Sequence, residues 1–169
     1  MAARRSDIEF TDNSVKVKGD LNQALIAFLR EASAEIKTQA ERYSPTGSAQ
    51  LKRSWDTVVD AGKLEAIIGN PLEYAIYQEL GTGEYALEGK GRKGYWVYVK
   101  DSDSGSTTRS TKSYTLAEAK RIMAYLRDKG LEAYYTKGTR PKRMLYKAFT
   151  MYKPKVEARA QQIFKSRGF

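Results

Sequence analysis

The chain has 169 residues, enough for one domain with a small addition, and it carries neither cysteine nor histidine. Those absences exclude disulfides, thiolate metal sites and cysteine nucleophiles, and they remove the usual general base, metal ligand and near-neutral pH switch. Against 20 Asp and Glu stand 30 Lys and Arg, a net charge of +10 that favours polyanionic partners such as nucleic acid or acidic protein faces.

In chain order, Ile8 and Phe10 alternate with charged residues, Asp12-Asn13 supplies turn chemistry, and Val15 and Val17 alternate with lysines. Residues 7–18 therefore predict a short hairpin, punctuated by Gly19, with Asp20 as the N-cap of a helix. From Leu21, the residues Ala24, Leu25, Phe28, Leu29, Ala32, Ile36, Ala40 and Tyr43 recur at spacings of three and four. This predicts a long amphipathic helix, ended at Ser44-Pro45 because proline disfavours helical geometry in the residue before it. Ser44-Pro45-Thr46-Gly47-Ser48 reads as a tight turn. Residues 51–59 and 64–68 predict two strands joined by a turn at Ala61-Gly62-Lys63, and Gly69-Asn70-Pro71 breaks the second. Residues 74–77 are a short aromatic segment that ends at Leu80-Gly81-Thr82-Gly83.

Residues 84–94, rich in glycine and lysine, are expected to be mobile, and residues 95–99 predict a strand. Residues 101–113 contain no apolar side chain and read as a polar loop. Thr115-Leu116-Ala117-Glu118 is a capping box; the helix it announces buries Leu116, Ala119, Ile122, Met123 and Leu126 and closes with Gly130. Residues 131–136 are another strand. The unit 95–136 has the size of a right-handed crossover between parallel strands. After Gly138-Thr139-Arg140-Pro141, the apolar residues from Met144 to Phe164 keep helical spacing, with Pro154 expected to kink or divide the helix. Its polar face is almost wholly basic: Lys142, Arg143, Lys147, Lys153, Lys155, Arg159, Lys165 and Arg167.

The expected architecture is an α+β fold, with a long N-terminal helix and a basic C-terminal helix packed on an antiparallel sheet. Residues 1–87 and 138–169 form the main domain, and 88–137 an inserted β-α-β lobe with flexible Gly/Lys- and Ser/Thr-rich loops. No apolar run approaches the roughly 20 residues of a membrane span, and the amino end lacks the apolar core of a signal peptide, so synthesis in a reducing cytosol is expected.

The motifs give little support to catalysis. Gly81-Thr82-Gly83-Glu84-Tyr85-Ala86 fits the text pattern of a dinucleotide site, but that chemistry requires a buried strand before the glycines and a helix N-terminus after them. Gly89-Lys90 lacks the spacing and the Ser or Thr of a phosphate loop. Glu73, Glu79, Asp101 and Asp103 fall at no diagnostic spacing for acid–base or calcium chemistry. No catalytic, metal or cofactor residues are therefore assigned. Aromatic residues among many cations leave nonspecific nucleic-acid binding open, with Lys147, Lys153, Lys155 and Arg159 as the residues that would face DNA. Charge is also segregated. Residues 1–87 carry 10 basic and 13 acidic side chains, and residues 88–169 carry 20 and 7. The plain reading is a solvated surface; the sharper one is a molecule with an acidic end and a basic end.

Four fragments together resemble a known family. They are Val15-x-Val17-x-Gly19; Ser44-Pro45-Thr46-Gly47-x-x-x-Leu51-x-x-Ser54; Ile68-Gly69-x-x-x-x-Tyr74-Ala75-x-x-x-Glu79-x-Gly81-Thr82-Gly83; and Arg140-Pro141-x-x-x-Leu145-x-x-Ala148-Phe149. In this order they are similar to the small tail-completion or head–tail joining proteins of long-tailed bacteriophages and prophages. The turn departs from the pattern, with Pro-Thr-Gly in place of a longer Pro-x-x-Thr-Gly form, and 95–136 lies outside it. The resemblance implies an interaction protein of the virion neck, assembled in the bacterial cytoplasm, whose copies form a ring between the connector and the tail tube. It implies no catalysis. Interface residues would then be Pro45, Thr46, Gly47, Leu51, Tyr74, Tyr77, Gly81, Thr82, Gly83 and Pro141, with Glu79 pairing with a neighbour's Arg140 or Arg143. The alternative is a nonspecific DNA-binding or DNA-channel protein.

Overall fold

A computed structural model describes residues 14–47, 49–100 and 107–166. The fold is α+β, as the residue pattern predicts, with two hydrophobic clusters that share no residue.

The first element, α1, runs Ser14–Tyr43 and starts a turn and a half before Asp20. The hairpin expected over 7–18 is thus corrected over 14–18, and its residues 7–13 lie outside the described ones. Val15 is 84% exposed and Val17 is exposed too, so burial does not reward a strand. Extending an existing helix costs far less than nucleating one, and the helix simply runs on through Gly19. A Cβ at Gly19 would meet open space. Gly19→Ala is therefore expected to stabilise the protein by about 0.5–1 kcal/mol, seen as a higher thermal midpoint.

Ser33, Ile36 and Ala40 put the inner face of α1 against α5 (Met144–Ser166), whose Met144 and Ala148 are fully buried. Helix α5 is continuous across Pro154, which corrects the expected division. Thr150 and Pro154 are both exposed, so water can serve the carbonyl that loses its helical donor. At the end of α1, the Ser44 hydroxyl donates to the Ala40 carbonyl (2.8 Å) and accepts from the Trp55 indole N–H (2.8 Å). Both polar groups are buried and both are satisfied, which pins the helix end to the core.

The strand expected over 51–59 divides into α2 (Ala49–Arg53) and β1 (Asp56–Asp60). In a strand, Arg53 would share the buried face with Leu51 and Trp55; a helical turn points Leu51 inward and leaves Lys52 and Arg53 exposed. Antiparallel to β1 runs β2 (Glu65–Gly69), joined through residues 61–64. The Asp60 carboxylate accepts from the N–H groups of Gly62 and Lys63, which fixes that turn. Asn70 then ties the hairpin to α2, donating to the Leu51 carbonyl at 2.8 Å. Residues 75–80 form a further helix, α3 (Ala75–Leu80), where the sequence indicates only an aromatic segment.

The second cluster belongs to a separate three-stranded sheet. Its elements are β3 (Trp96–Lys100), β4 (Thr107–Arg109), α4 (Leu116–Asp128) and β5 (Glu132–Thr136), with strand order β4-β3-β5. Val97, Ala119 and Ala133 are its buried centre. The capping box is present as expected: the Glu118 N–H donates to the Thr115 hydroxyl and the Thr115 N–H to the Glu118 carboxylate. Gly130 closes α4 with φ of 78°. Leu116, the first residue of α4 and expected on the buried face, is 39% exposed.

Three expectations about this unit are corrected. The pair β3 and β5 is antiparallel, so these strands are not the ends of a parallel crossover. Because β4 is also antiparallel to β3, β4 and β5 run in the same direction, and α4 joins them across the intervening β3. Residues 107–109 are an edge strand although all their side chains are exposed, since a ladder of backbone hydrogen bonds needs no apolar residue. Residues 101–106 lie outside the described ones. Finally, the segment 84–94 is anchored. Arg92 donates to the Ser110 carbonyl (2.7 Å), the Ser113 hydroxyl (3.1 Å) and the Lys112 carbonyl, and it lies over the Trp96 ring.

Candidate functional site

The residues that the sequence singles out between 74 and 83, and between 140 and 143, meet at one junction where α3, the start of α5 and the edge of the second sheet converge. Glu79 organises it. Its carboxylate accepts from the N–H groups of Leu145 and Tyr146, both at 3.0 Å. Those donors belong to the first turn of α5, where N–H groups have no helical partner and the helix dipole favours an anion. In the other direction, the Lys142 N–H donates to the Gln78 carbonyl (2.7 Å) and the Arg143 N–H to the Glu79 carbonyl (3.2 Å). The C-terminal carbonyls of α3 and the N-terminal amides of α5 thus satisfy one another. The Glu79 carboxylate, expected to pair with a neighbour's arginine, serves within the subunit as an internal cap. Arg143 adopts a φ of 54° to enter α5, and its guanidinium stacks on Tyr146 at 3.9 Å.

Gly81-Thr82-Gly83 forms a clasp with residues 137–141. The Thr82 N–H donates to the Thr139 carbonyl, the Glu84 N–H to the Lys137 carbonyl, and the Thr139 N–H to the Thr82 hydroxyl. Gly83 has a φ of 60°, and a Cβ there would lie 2.2 Å from the Lys137 carbonyl oxygen and 2.6 Å from the Trp96 ring. A Cβ on Gly81 would lie 2.9 Å from the Pro141 ring. The glycines do permit a close backbone approach, here of this chain's own residues 137–141. Their setting also excludes a dinucleotide loop, since a helix precedes them and a three-residue turn, Gly83–Tyr85, comes after.

Lys137 and Glu84 close the clasp with an ion pair of 3.2 Å. The Lys137 hydrogen bond, followed by that from the Gly94 N–H, holds the Glu84 carboxyl below its ordinary value of 4.5. Glu84 and then Tyr85 raise Lys137 above its ordinary 10.5. A lowered carboxylate contributes stability that is present above pH 4.5 and lost as pH falls through the folded-state value; a raised lysine contributes stability that is present below pH 10.5 and lost as pH rises through its folded-state value. The thermal-midpoint difference between wild type and Glu84→Gln is therefore expected to be flat between those limits and to shrink beyond either, measured by circular dichroism across pH.

The remaining predicted residues separate by environment. Leu51 is fully buried in the first cluster, which removes it from any interface surface. Thr46 and Gly47 are exposed and Pro45 is half-buried, with open space where a Gly47 side chain would be. Arg140 lies over Tyr85 at 5.2 Å. Tyr77 is 59% exposed and Tyr74 36%. Along α5, Arg159 pairs with Glu31 at 3.5 Å, Lys153 with Glu157 at 3.8 Å, and Lys155 lies over Tyr152. Lys147 is exposed, and Arg167 lies outside the described residues.

Tyr74 and Tyr77 also line a groove of about 580 Å³ between α3, the clasp and the open face of the second sheet. Its far wall is Trp96, Tyr98, Arg92 and Arg109, which the residue pattern does not single out as a site. The alternation of 95–99 does place Trp96 and Tyr98 on one face; the packing of α4 residues with Val97 and Ala133 puts α4 on the opposite one. The ring faces there are already occupied, Tyr98 stacking on Tyr134 at 5.5 Å and Trp96 on Arg92 at 4.9 Å. Among the described residues, no group of three acidic side chains gathers to hold a metal ion.

Residues 8–81 match the model of a family described as "Bacteriophage HK97-gp10, putative tail-component". Over this segment the chain is similar to the HK97-gp10-like family. The HK97-gp10-like segment spans α1, α2, the β1–β2 hairpin and α3, and it ends at Gly81, the first glycine of the clasp. It agrees with the resemblance carried by the fragments from Val15 to Gly81 and supports a structural phage protein of the tail-component class. No curated protein and no solved structure matches the chain. No helix among the described residues is long and apolar enough to cross a membrane.

Proposed function

We propose that this HK97-gp10-like protein completes the phage head–tail junction, its copies forming a ring between connector and tail tube and working by contact rather than catalysis. The observation that carries this reading is the family match over residues 8–81. The surface supports it, since the family segment exposes apolar side chains, among them Val58 and Ile67 on the hairpin and Ile76 and Tyr77 on α3. Contiguous exposed apolar groups of this kind mark association surfaces. The segregation of acidic and basic halves favours head-to-tail contacts, which close into rings. We read 88–137 as a lobe inserted into a main domain of residues 1–87 and 138–169, supported by its own hydrophobic cluster and by the clasp at its base. A DNA-contacting role for α5 is less favoured, because Arg159 and Lys153 already sit on carboxylates of this chain. Native mass spectrometry across a concentration series tests the ring. A closed oligomer of fixed copy number is expected, and a monomer at every concentration, with no binding to connector or tail-tube subunits, would reject it.

A further inference from the structure

The hairpin β1–β2 carries an unusual outer face. Alternation along both strands brings Asp56, Val58 and Asp60 to one side, opposite Gly69, Ile67 and Glu65. Val58 and Ile67 are direct cross-strand partners, 62% and 65% exposed. Asp60 and Glu65 are also direct partners, and like charges facing each other across two strands are unfavourable. This face therefore has an apolar centre and carboxylates at both ends, with the largely exposed Lys63, 4.0 Å from Asp60, as the near cation at the paired end. The groove beneath α3 has the complementary character. It is lined by Arg92 and Arg109 with no carboxylate among its described lining residues, and Tyr77 stands at its rim beside the exposed Ile76. Arg92 is held by two carbonyls and a hydroxyl, neutral groups that fix its position and leave its charge uncompensated.

We infer that the groove of one copy receives the β1–β2 hairpin of a second copy, with Val58 and Ile67 against the α3 rim and the hairpin carboxylates toward Arg92 and Arg109. This rests on the ring reading and names its contact surfaces. Since hairpin and groove are different patches of one chain, the contact is heterologous and passes from copy to copy. A protein occupant fits better than a single-stranded nucleic acid, because the rings of Trp96 and Tyr98 that a base would stack on are already covered by Arg92 and Tyr134.

Two variants test it, each disabling one patch: V58D/I67D on the hairpin and R109E/Y77A in the groove. Each alone is expected to weaken self-association at least tenfold in native mass spectrometry. Mixed in equal amounts, they are expected to form a 1:1 heterodimer of about twice 19.1 kDa, and nothing larger, because one intact hairpin and one intact groove remain. Recovery of that heterodimer also shows that both variants are folded. The inference is overturned if wild type forms its ring and either variant does so equally well, or if the mixture stays monomeric. It is likewise overturned if the groove variant assembles normally and loses only the retention of a single-stranded oligonucleotide. A wild-type chain that is monomeric throughout would instead reject the ring itself, and this contact with it.

Discussion

Gly83→Ala is expected to destabilise the protein by about 3 kcal/mol or more, a large effect for a single methyl group. Two costs combine. The residue holds a φ of 60°, which a side chain tolerates poorly, and the new Cβ would sit 2.2 Å from a backbone carbonyl that cannot swing away. The Lys137 carbonyl is fixed because it also accepts the Glu84 N–H, so relief requires breaking the clasp. The consequence reaches beyond the loop. With the clasp open, Trp96 loses its packing against Gly83 and the second sheet loses its hold on α3. Urea denaturation followed separately by tryptophan fluorescence and far-ultraviolet circular dichroism is expected to show a lowered midpoint and two transitions that no longer coincide. A variant with an unchanged single transition would mean that the clasp does not couple the two hydrophobic clusters.

Glu79→Ala is the second large effect, about 2–3 kcal/mol, from the loss of two charge-assisted hydrogen bonds at a helix N-terminus. Glu79→Gln keeps a carbonyl acceptor but not the charge, and is expected to fall between alanine and wild type. Thermal midpoints rank the three. The ranking also separates the two roles that this residue can be given. If Glu79 paired with a neighbour's arginine, as the linear sequence invites, alanine would leave the subunit's stability intact and weaken only its assembly.

That contrast shows where residue patterns carry and where they stop. Local rules are legible. Thr115 and Glu118 announce a helix start three residues apart, Gly130 announces its end, and the apolar spacing from Leu21 to Tyr43 marks a core face, because each signal lies within one or two turns of backbone. The clasp and the cap are not legible in that way. The donors to Glu79 are 66 and 67 residues further along, and the backbone that Gly83 admits, at Lys137 and Gly138, lies more than fifty residues later. A Gly-Thr-Gly sequence states that something approaches closely, but not whether it is another subunit, a ligand or the same chain. Short elements escape for a different reason. Residues 49–53 and 75–80 make one turn or a little more, too brief for any period to emerge, and residues 107–109 form a strand through backbone pairing alone. The groove is the clearest case, since Arg92, Trp96 and Arg109 come from three segments that meet only when β4 and β3 pair.

The fold therefore gives the residues of the family segment and its flank two kinds of work. Glu79, Gly81 and Gly83 hold the subunit together, while Val58, Ile67, Ile76 and Tyr77 are left exposed on the outside, where the proposed contact would use them. The central claim is that the contact surface joins heads to tails. Its most direct test is electron microscopy of particles assembled in cells whose phage genome lacks this reading frame. Complete DNA-filled heads and complete tails are expected to accumulate unjoined, and to be joined again when the wild-type chain is supplied but not when V58D/I67D is. Normally joined particles in its absence would contradict the claim.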